Sequence, residues 1–331
     1  MQAIIDDFIT TAMPVGSRTI SRKSGVGFSP ATIRNEMSDL EELGYLDQPH
    51  TSAGRIPSQK AYRLYVDQLL RVARLSNEER DRMSEHLSAR TSQIEAVIKR
   101  AANVMSDATK YTSVIVTPRM NTLRIRNVQL VPVADNVALL VIVTSAGIVK
   151  DAILNIPEKL SSDDLYAISK MLTEQLADQP LEKIRQIFAE ILKDLRQNRR
   201  LVAETLQVIE DRMEASDTSD VIVGGSTNLL NYPEYSDVDK AKRLLEVLDS
   251  RDKLKKLVSS GGGMEIGIRI GAENDSPEFN DLSILTVSYR AGDKSTGTLG
   301  IIGPTRMNYN RAISVLEFMS RALTDLLTDR Y

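Results

Sequence analysis

The residues best suited to chemistry in this sequence are not catalytic. They are Ser17, Arg18 and Arg22 in one short stretch, Ser29, Thr32, Arg34 and Asn35 in the next, and His50, Thr51, Ser52 and Arg55 after a break. Their types fit a nucleic-acid duplex. Arginine can pair bidentately with guanine and asparagine with adenine. Hydroxyls, imidazole and further arginines can hold phosphate or enter the minor groove. Residues 14–34 and 50–66 carry basic but no acidic side chains, whereas 35–49 holds Glu36, Asp39, Glu41, Glu42 and Asp47. One face can therefore meet phosphate although the net charge is only −3.

Short helices and one hairpin must position these residues. Ile4, Ile5, Phe8, Ile9 and Ala12 give a first helix its apolar face, and Pro14 and Gly16 end it. Ser17 can cap a second helix with Ile20 inward. Ser29 at the N-cap and Pro30 at the first helical position open a third, with Ile33, Met37 and Leu40 as its stripe and Gly44 as its close. Tyr45-Leu46, a polar loop and Arg55-Ile56 read as strand, loop, strand, and a helix follows from Pro57 to about Arg71. This is a winged helix-turn-helix, whose recognition helix enters the major groove by its N-terminal residues. A small helical bundle with a solvated charged face is the competing reading. Cap, stripe, hairpin and charge segregation all favour DNA.

Beyond it, a long helix is expected over 77–110 and strands at 113–117, 124–133, 136–144 and 147–155. Helices are expected at 162–178 and 181–214, and a strand at 221–224. A helix at 237–258 follows, with strands at 265–270, 282–290 and 296–302 and a last helix at 308–328. The expected class is α+β. The expected parts are the DNA-binding domain at 1–75, a linker helix at 76–110, and an αβ domain from 111–118 and 217–331, interrupted by an insertion at 119–216.

Composition removes other functions. The chain of 331 residues has no cysteine and two histidines, His50 and His86. Thiol chemistry, cysteine-held metals and a histidine triad are thereby excluded or disfavoured, and neither a metal nor a cofactor is expected. Gly224-Gly225-Ser226 and Gly261-Gly262-Gly263 match no phosphate loop and read as turns, and Gly297, Gly300 and Gly303 read as close backbone packing. The longest clean apolar run, Val137–Val143, is far short of the ~20 residues a membrane span needs. Asp6 and Asp7 stand where a signal peptide wants positive charge, so a cytoplasmic protein is expected.

Longer strings carry a family likeness. Pro14-Val-Gly-Ser-Arg-Thr-Ile20, Ser29-Pro-Ala-Thr-Ile-Arg-Asn-Glu-Met37, Asp39-Leu-Glu-Glu-Leu-Gly-Tyr-Leu46, Gln48-Pro-His-Thr-Ser-Ala-Gly-Arg55 and Tyr62-Arg-Leu-Tyr-Val-Asp67 resemble the bacterial heat-inducible transcription repressor family. So do Val223-Gly-Gly-Ser-Thr-Asn-Leu-Leu230 and Gly300-Ile-Ile-Gly-Pro-Thr-Arg-Met307. The resemblance implies a homodimeric, non-enzymatic repressor of chaperonin and chaperone operons that binds an inverted-repeat operator. It also implies that the αβ domain is GAF-like, that the insertion dimerises, and that the chaperonin modulates activity. Members usually begin several residues earlier, so Met1 falls inside their first helix. Ile184, Phe188, Ile191, Leu195 and Val202 form the apolar stripe expected at the dimer contact together with the 124–155 strands, an ordinary core helix being the alternative. The alternative function is a winged-helix regulator whose GAF-like domain binds a small effector, an analogy of fold alone.

Overall fold

The computed structural model describes residues 1–23, 27–50, 54–88, 94–118, 124–144, 149–158, 160–179, 181–194, 198–217, 220–259, 265–274, 276–291 and 295–328. Local signals set the first elements. Helix α1 (Gln2–Thr11) stops where Ala12 turns left-handed, and α2 (Ser17–Lys23) is short. Helix α3 (Pro30–Glu42) starts on the Ser29 side chain, which accepts the Thr32 N–H at 3.1 Å. It ends with Gly44 N–H donating to Glu41 C=O and Tyr45 N–H to Leu40 C=O, a closure that Gly44 permits at φ 74°. Strands β1 (Leu46–Asp47) and β2 (Ile56–Pro57) pair antiparallel. Helix α4 (Gln59–Leu64) passes through a π turn at Tyr65–Leu69 and ends there, because Leu70 is extended. Ile4, Val15, Ile20, Ile33, Met37 and Leu46 form a separate small core under this head.

Helices α5 (Asn77–Ser88) and α6 (Ile94–Thr109) replace the single long helix expected at 77–110. After β3 (Thr112–Val116) come β4 (Ile125–Ala134), β5 (Val137–Thr144) and β6 (Val149–Asn155), an antiparallel meander as the alternation predicts. Helix α7 (Ser162–Leu176) covers its inner face with Leu165, Ile168, Leu172 and Leu176. Ser169 and Thr173 of α7 accept the N–H groups of Leu130 and Val128, so side chains stand where a further strand would pair. Helices α8 (Leu181–Asp194) and α9 (Arg199–Asp217) follow.

The chain then re-enters the first sheet through β7 (Val221–Gly224), followed by α10 (Val238–Asp249), α11 (Arg251–Ser259), β8 (Gly267–Ile270), β9 (Leu282–Ala291), β10 (Ser295–Pro304) and α12 (Tyr309–Thr328). The helix expected at 237–258 is thus broken at Ser250, whose backbone is extended. The sheet order is β7-β3-β10-β9-β8, antiparallel throughout. Ser113 donates to Ala102 C=O of α6, and Ser283 on the same side of the pleat meets Tyr309 of α12. The next register pair, Val114 and Gly300, faces Val258 of α11. Helices therefore cover both faces. Thr117 N–H donates to Asp220 C=O at 2.9 Å, so the chain leaves and returns side by side. Gly224 and Gly225 pack against α6, Gly297, Gly300 and Gly303 lie within β10, and Gly261–Gly263 fall outside the described residues.

Head and body are joined by polar grips. Gln59 donates to Asn280 C=O and accepts Ala272 N–H. Arg63 pairs with Glu273 and Asp67 and donates to Ile268 C=O at 2.7 Å. Burial raises the Glu273 pKa, but the hydrogen bonds from Arg63 and Ile270 N–H and the Arg63 charge more than offset it and hold the carboxyl below its ordinary value. With the folded value lowered, this grip is present above the ordinary carboxylate range and is lost as pH falls through the lowered value.

Candidate nucleic-acid interface

Helix α3 is oriented by both of its ends. At the start, the Ser29 and Thr32 hydroxyls lie 2.9 Å apart and Pro30 fixes the first turn. At the end, Lys60 donates to Leu43 C=O at 2.9 Å while lying over the Tyr45 ring, and Ser58 donates to Gly44 C=O. Cations at a helix C-terminus offset its negative end. Ile33 and Met37 then point into the small core, which turns Thr32, Arg34 and Asn35 out into solvent. Arg18, Arg22 and Ser29 are also exposed, and Ser17 is half-buried at the start of α2.

Not every expected contact stands free. Arg55 is half-buried: its Nε donates to Glu41 at 2.8 Å, and its backbone exchanges two hydrogen bonds with Val15. It fastens the hairpin to α3 and to the α1–α2 connection rather than extending from the surface. His50 is exposed at the hairpin, while Thr51 and Ser52 lie outside the described residues. Sequence reasoning passed over Phe28. An apolar residue just before an N-cap usually staples to the fourth helical position, here Ile33. Phe28 instead stays 59% exposed beside the helix start, with its carbonyl accepting the Ser21 hydroxyl. Its position was the available signal.

Within the chain, the expected dimer stripe has the placement of its alternative, that of core helices. Ile184, Phe188, Ile191 and Val202 are buried in the chain's own core, and Leu195 is outside the described residues. The physical reason is that α8 and α9 pack on each other, so their stripes face inward. A group of exposed apolar side chains lies on the outer face of the meander. Val131, Val133, Val149 and Ile153 are open there, Ile153 at 73% exposure, beside the half-buried Leu139, Val141 and Val143 of β5.

A cleft of about 410 Å³ between α5, α6 and α12 is lined by Glu79, Arg82, His86, Asp107, Lys110 and Arg311 over a few apolar groups. Glu79 and Arg311 are paired across it at 2.6 Å. Met83, Val104 and Ala108 are its apolar lining residues. Among the described residues, no helix is long and apolar enough to cross a membrane.

A capped helix start carrying exposed arginine and asparagine, flanked by further cations, is the equipment of a DNA-binding transcription regulator. The comparisons agree. Residues 95–313 match the family described as HrcA protein C terminal domain. The heat-inducible transcription repressor HrcA of Halalkalibacterium halodurans is 43% identical over all of this chain and 96% of its own length. That of Brevibacillus brevis is 38% identical over all of this chain and 97% of its own. A crystal structure described as that of a hypothetical protein is similar over 99% of this chain and 97% of its own, with TM-score 0.71 and 25% identity. The chain belongs to the HrcA family of heat-inducible transcription repressors. It is accordingly a repressor of heat-shock genes and not an enzyme.

The hairpin gives a direct test. A Cβ on Gly54 would lie 2.4 Å from Val15 C=O, against backbone that cannot yield cheaply. Gly54→Ala should destabilise the head by roughly 1–3 kcal/mol. Hydrogen exchange would show lost protection in α1–α3 and little change in β9 and β10. Equal protection in both regions would mean that the hairpin tolerates the methyl group.

Proposed function

We propose that the chain is a dimeric winged-helix repressor that binds an inverted-repeat operator of chaperonin and chaperone genes in the cytoplasm, with the chaperonin as its modulating partner. The observation that carries the reading is the exposed start of α3, where Thr32, Arg34 and Asn35 stand in solvent close in sequence to Arg18 and Arg22. Arg34 and Asn35 read base edges in the major groove. Arg18 and Arg22 neutralise phosphate, and the β1–β2 hairpin is the wing. The segment 1–75 is the DNA-binding domain, and 76–110 leads into a GAF-like domain of 111–118 and 217–331. The segment 119–216 is the inserted dimerisation unit. Support for the dimer comes from the open apolar face of β4–β6, because exposed contiguous apolar surface marks an interface. A two-fold dimer suits two half-sites related by inversion. Support for the chaperonin comes from the family resemblance.

The deciding experiment is fluorescence anisotropy at one stated salt concentration, with a duplex selected from a random pool by the full chain and with its scrambled copy. Preference for the selected duplex, strengthened by added chaperonin, is the expected result. Equal binding to both duplexes with and without chaperonin overturns the proposal.

Four variants sharpen the assignment. Arg34→Ala and Asn35→Ala should each cost about 1–3 kcal/mol on the selected duplex and little on the scrambled one. Equal losses on both would remove the base-reading role. Arg18→Ala should weaken binding to all sequences and lower the salt slope by about one; an unchanged slope would exclude a phosphate contact. Ile153→Asp should give a monomer by light scattering, with weaker operator binding and an unchanged fold, whereas a dimer of the parent mass places the interface elsewhere.

A further inference from the structure

Among the described residues, Arg306 is the one charged residue that is buried. It stands in the Gly300–Met307 string, which the repressor reading leaves without a role. Its guanidinium pairs through Nε and Nη2 with Glu234, the second contact at 3.2 Å, and lies over the Tyr232 ring. Its Nη1 donates to Ile9 C=O at 2.9 Å. That carbonyl is among the last four of α1, which have no partner within the helix. The body thus holds the first helix of the head by its C-terminal end.

A buried ion pair is weak evidence for stability, since apolar groups of the same size often serve as well. A guanidinium fork, by contrast, fixes direction. The remaining contacts show what needs fixing. Gln59 and Arg63 lie on α4, the element through which the head continues into the body, and tie it to Asn280 and Glu273. Ile5 of α1 packs into the main core, a contact without direction. Rotation of the head about α4 is then restrained at two points of α1, where Asp6 accepts the Tyr65 hydroxyl at 3.0 Å and where Ile9 C=O accepts from Arg306 at the helix end.

We infer that Arg306, held by Glu234, is a positioning residue for DNA binding: it sets the angle at which the body presents α3, and thereby the half-site spacing a dimer accepts. The inference rests on the paired half-site reading above.

The test removes the pair from both sides, as Arg306→Met with Glu234→Gln, so that no charge is left buried alone. On selected duplexes, binding to a single half-site should stay within about twofold of the parent, while binding to two half-sites at the preferred spacing should weaken about tenfold, since linkage of two sites depends on geometry. Affinity should vary less than in the parent when the spacing is changed by about one base pair. Arg306→Lys, which keeps the charge without the fork, should fall between. The chain has no cysteine, so Asp39→Cys with Arg321→Cys, both exposed positions, can carry spin labels for distance measurement in an excess of unlabelled chain. The distance distribution should broaden in the pair variant. A spacing profile and a distribution both unchanged overturn the inference. If the parent itself shows no preference for paired half-sites, the operator reading fails, while the width of the distribution still decides whether Arg306 fixes the head.

Discussion

Helix α1 belongs to two cores at once. Ile4 is buried in the small cluster that supports α3, and its neighbour Ile5 is buried in the main cluster of the body. Consecutive residues on a helix point about 100° apart, which lets a single helix serve two partners. Everything the head presents depends on this sharing. The small cluster alone has few residues, and a core of that size gives limited stability. Packing α1 against the body adds apolar burial that the head could not supply by itself, and it removes the head from the class of domains on loose linkers.

The polar contacts then act on a surface already dry. Arg55 with Glu41, and Lys60 with the end of α3, determine the pose of α3 within the head. Arg63 with Glu273, Gln59 with the 272–280 turn, and Arg306 with Glu234 and Ile9 determine the pose of the head on the body. Neither set needs to contribute much net stability, because each ion is partly removed from water. Their effect is to fix direction, which apolar packing by itself does not.

Much of the candidate site was legible because its signals are local. Ser29-Pro30 and Gly44 bracket α3, and the Ile33, Met37 stripe says which side turns inward. The meander was legible from alternation in β4–β6. Non-local facts were not. The stripe through Ile184, Phe188 and Ile191 announces that a face is buried but not against what, and within the chain α8 packs against α9. Arg55 looks free until Glu41, fourteen residues earlier, is folded against it. Apolar periodicity runs through Ser250 without interruption, since a corner between two amphipathic helices can preserve the pattern while extending the backbone. Phe28 and Arg306 are the opposite cases, an apolar side chain left outside and a charge taken inside, and composition ranks both the wrong way.

The side-by-side exit and return at Thr117 and Asp220 has a consequence in time. Every residue of β3 is buried, and its partners are β7 and β10. A ribosome makes β3 at 112–116 and β10 only at 295–304. At roughly 5–20 residues per second, an inner strand of the body sheet waits on the order of ten seconds or more for its neighbour. The head and the meander have their near-sequence partners much sooner. The order of synthesis therefore brings together the local pairings of the head and the meander before the connecting sheet closes, while the head's contacts to Glu273 and Arg306 form only with that closure.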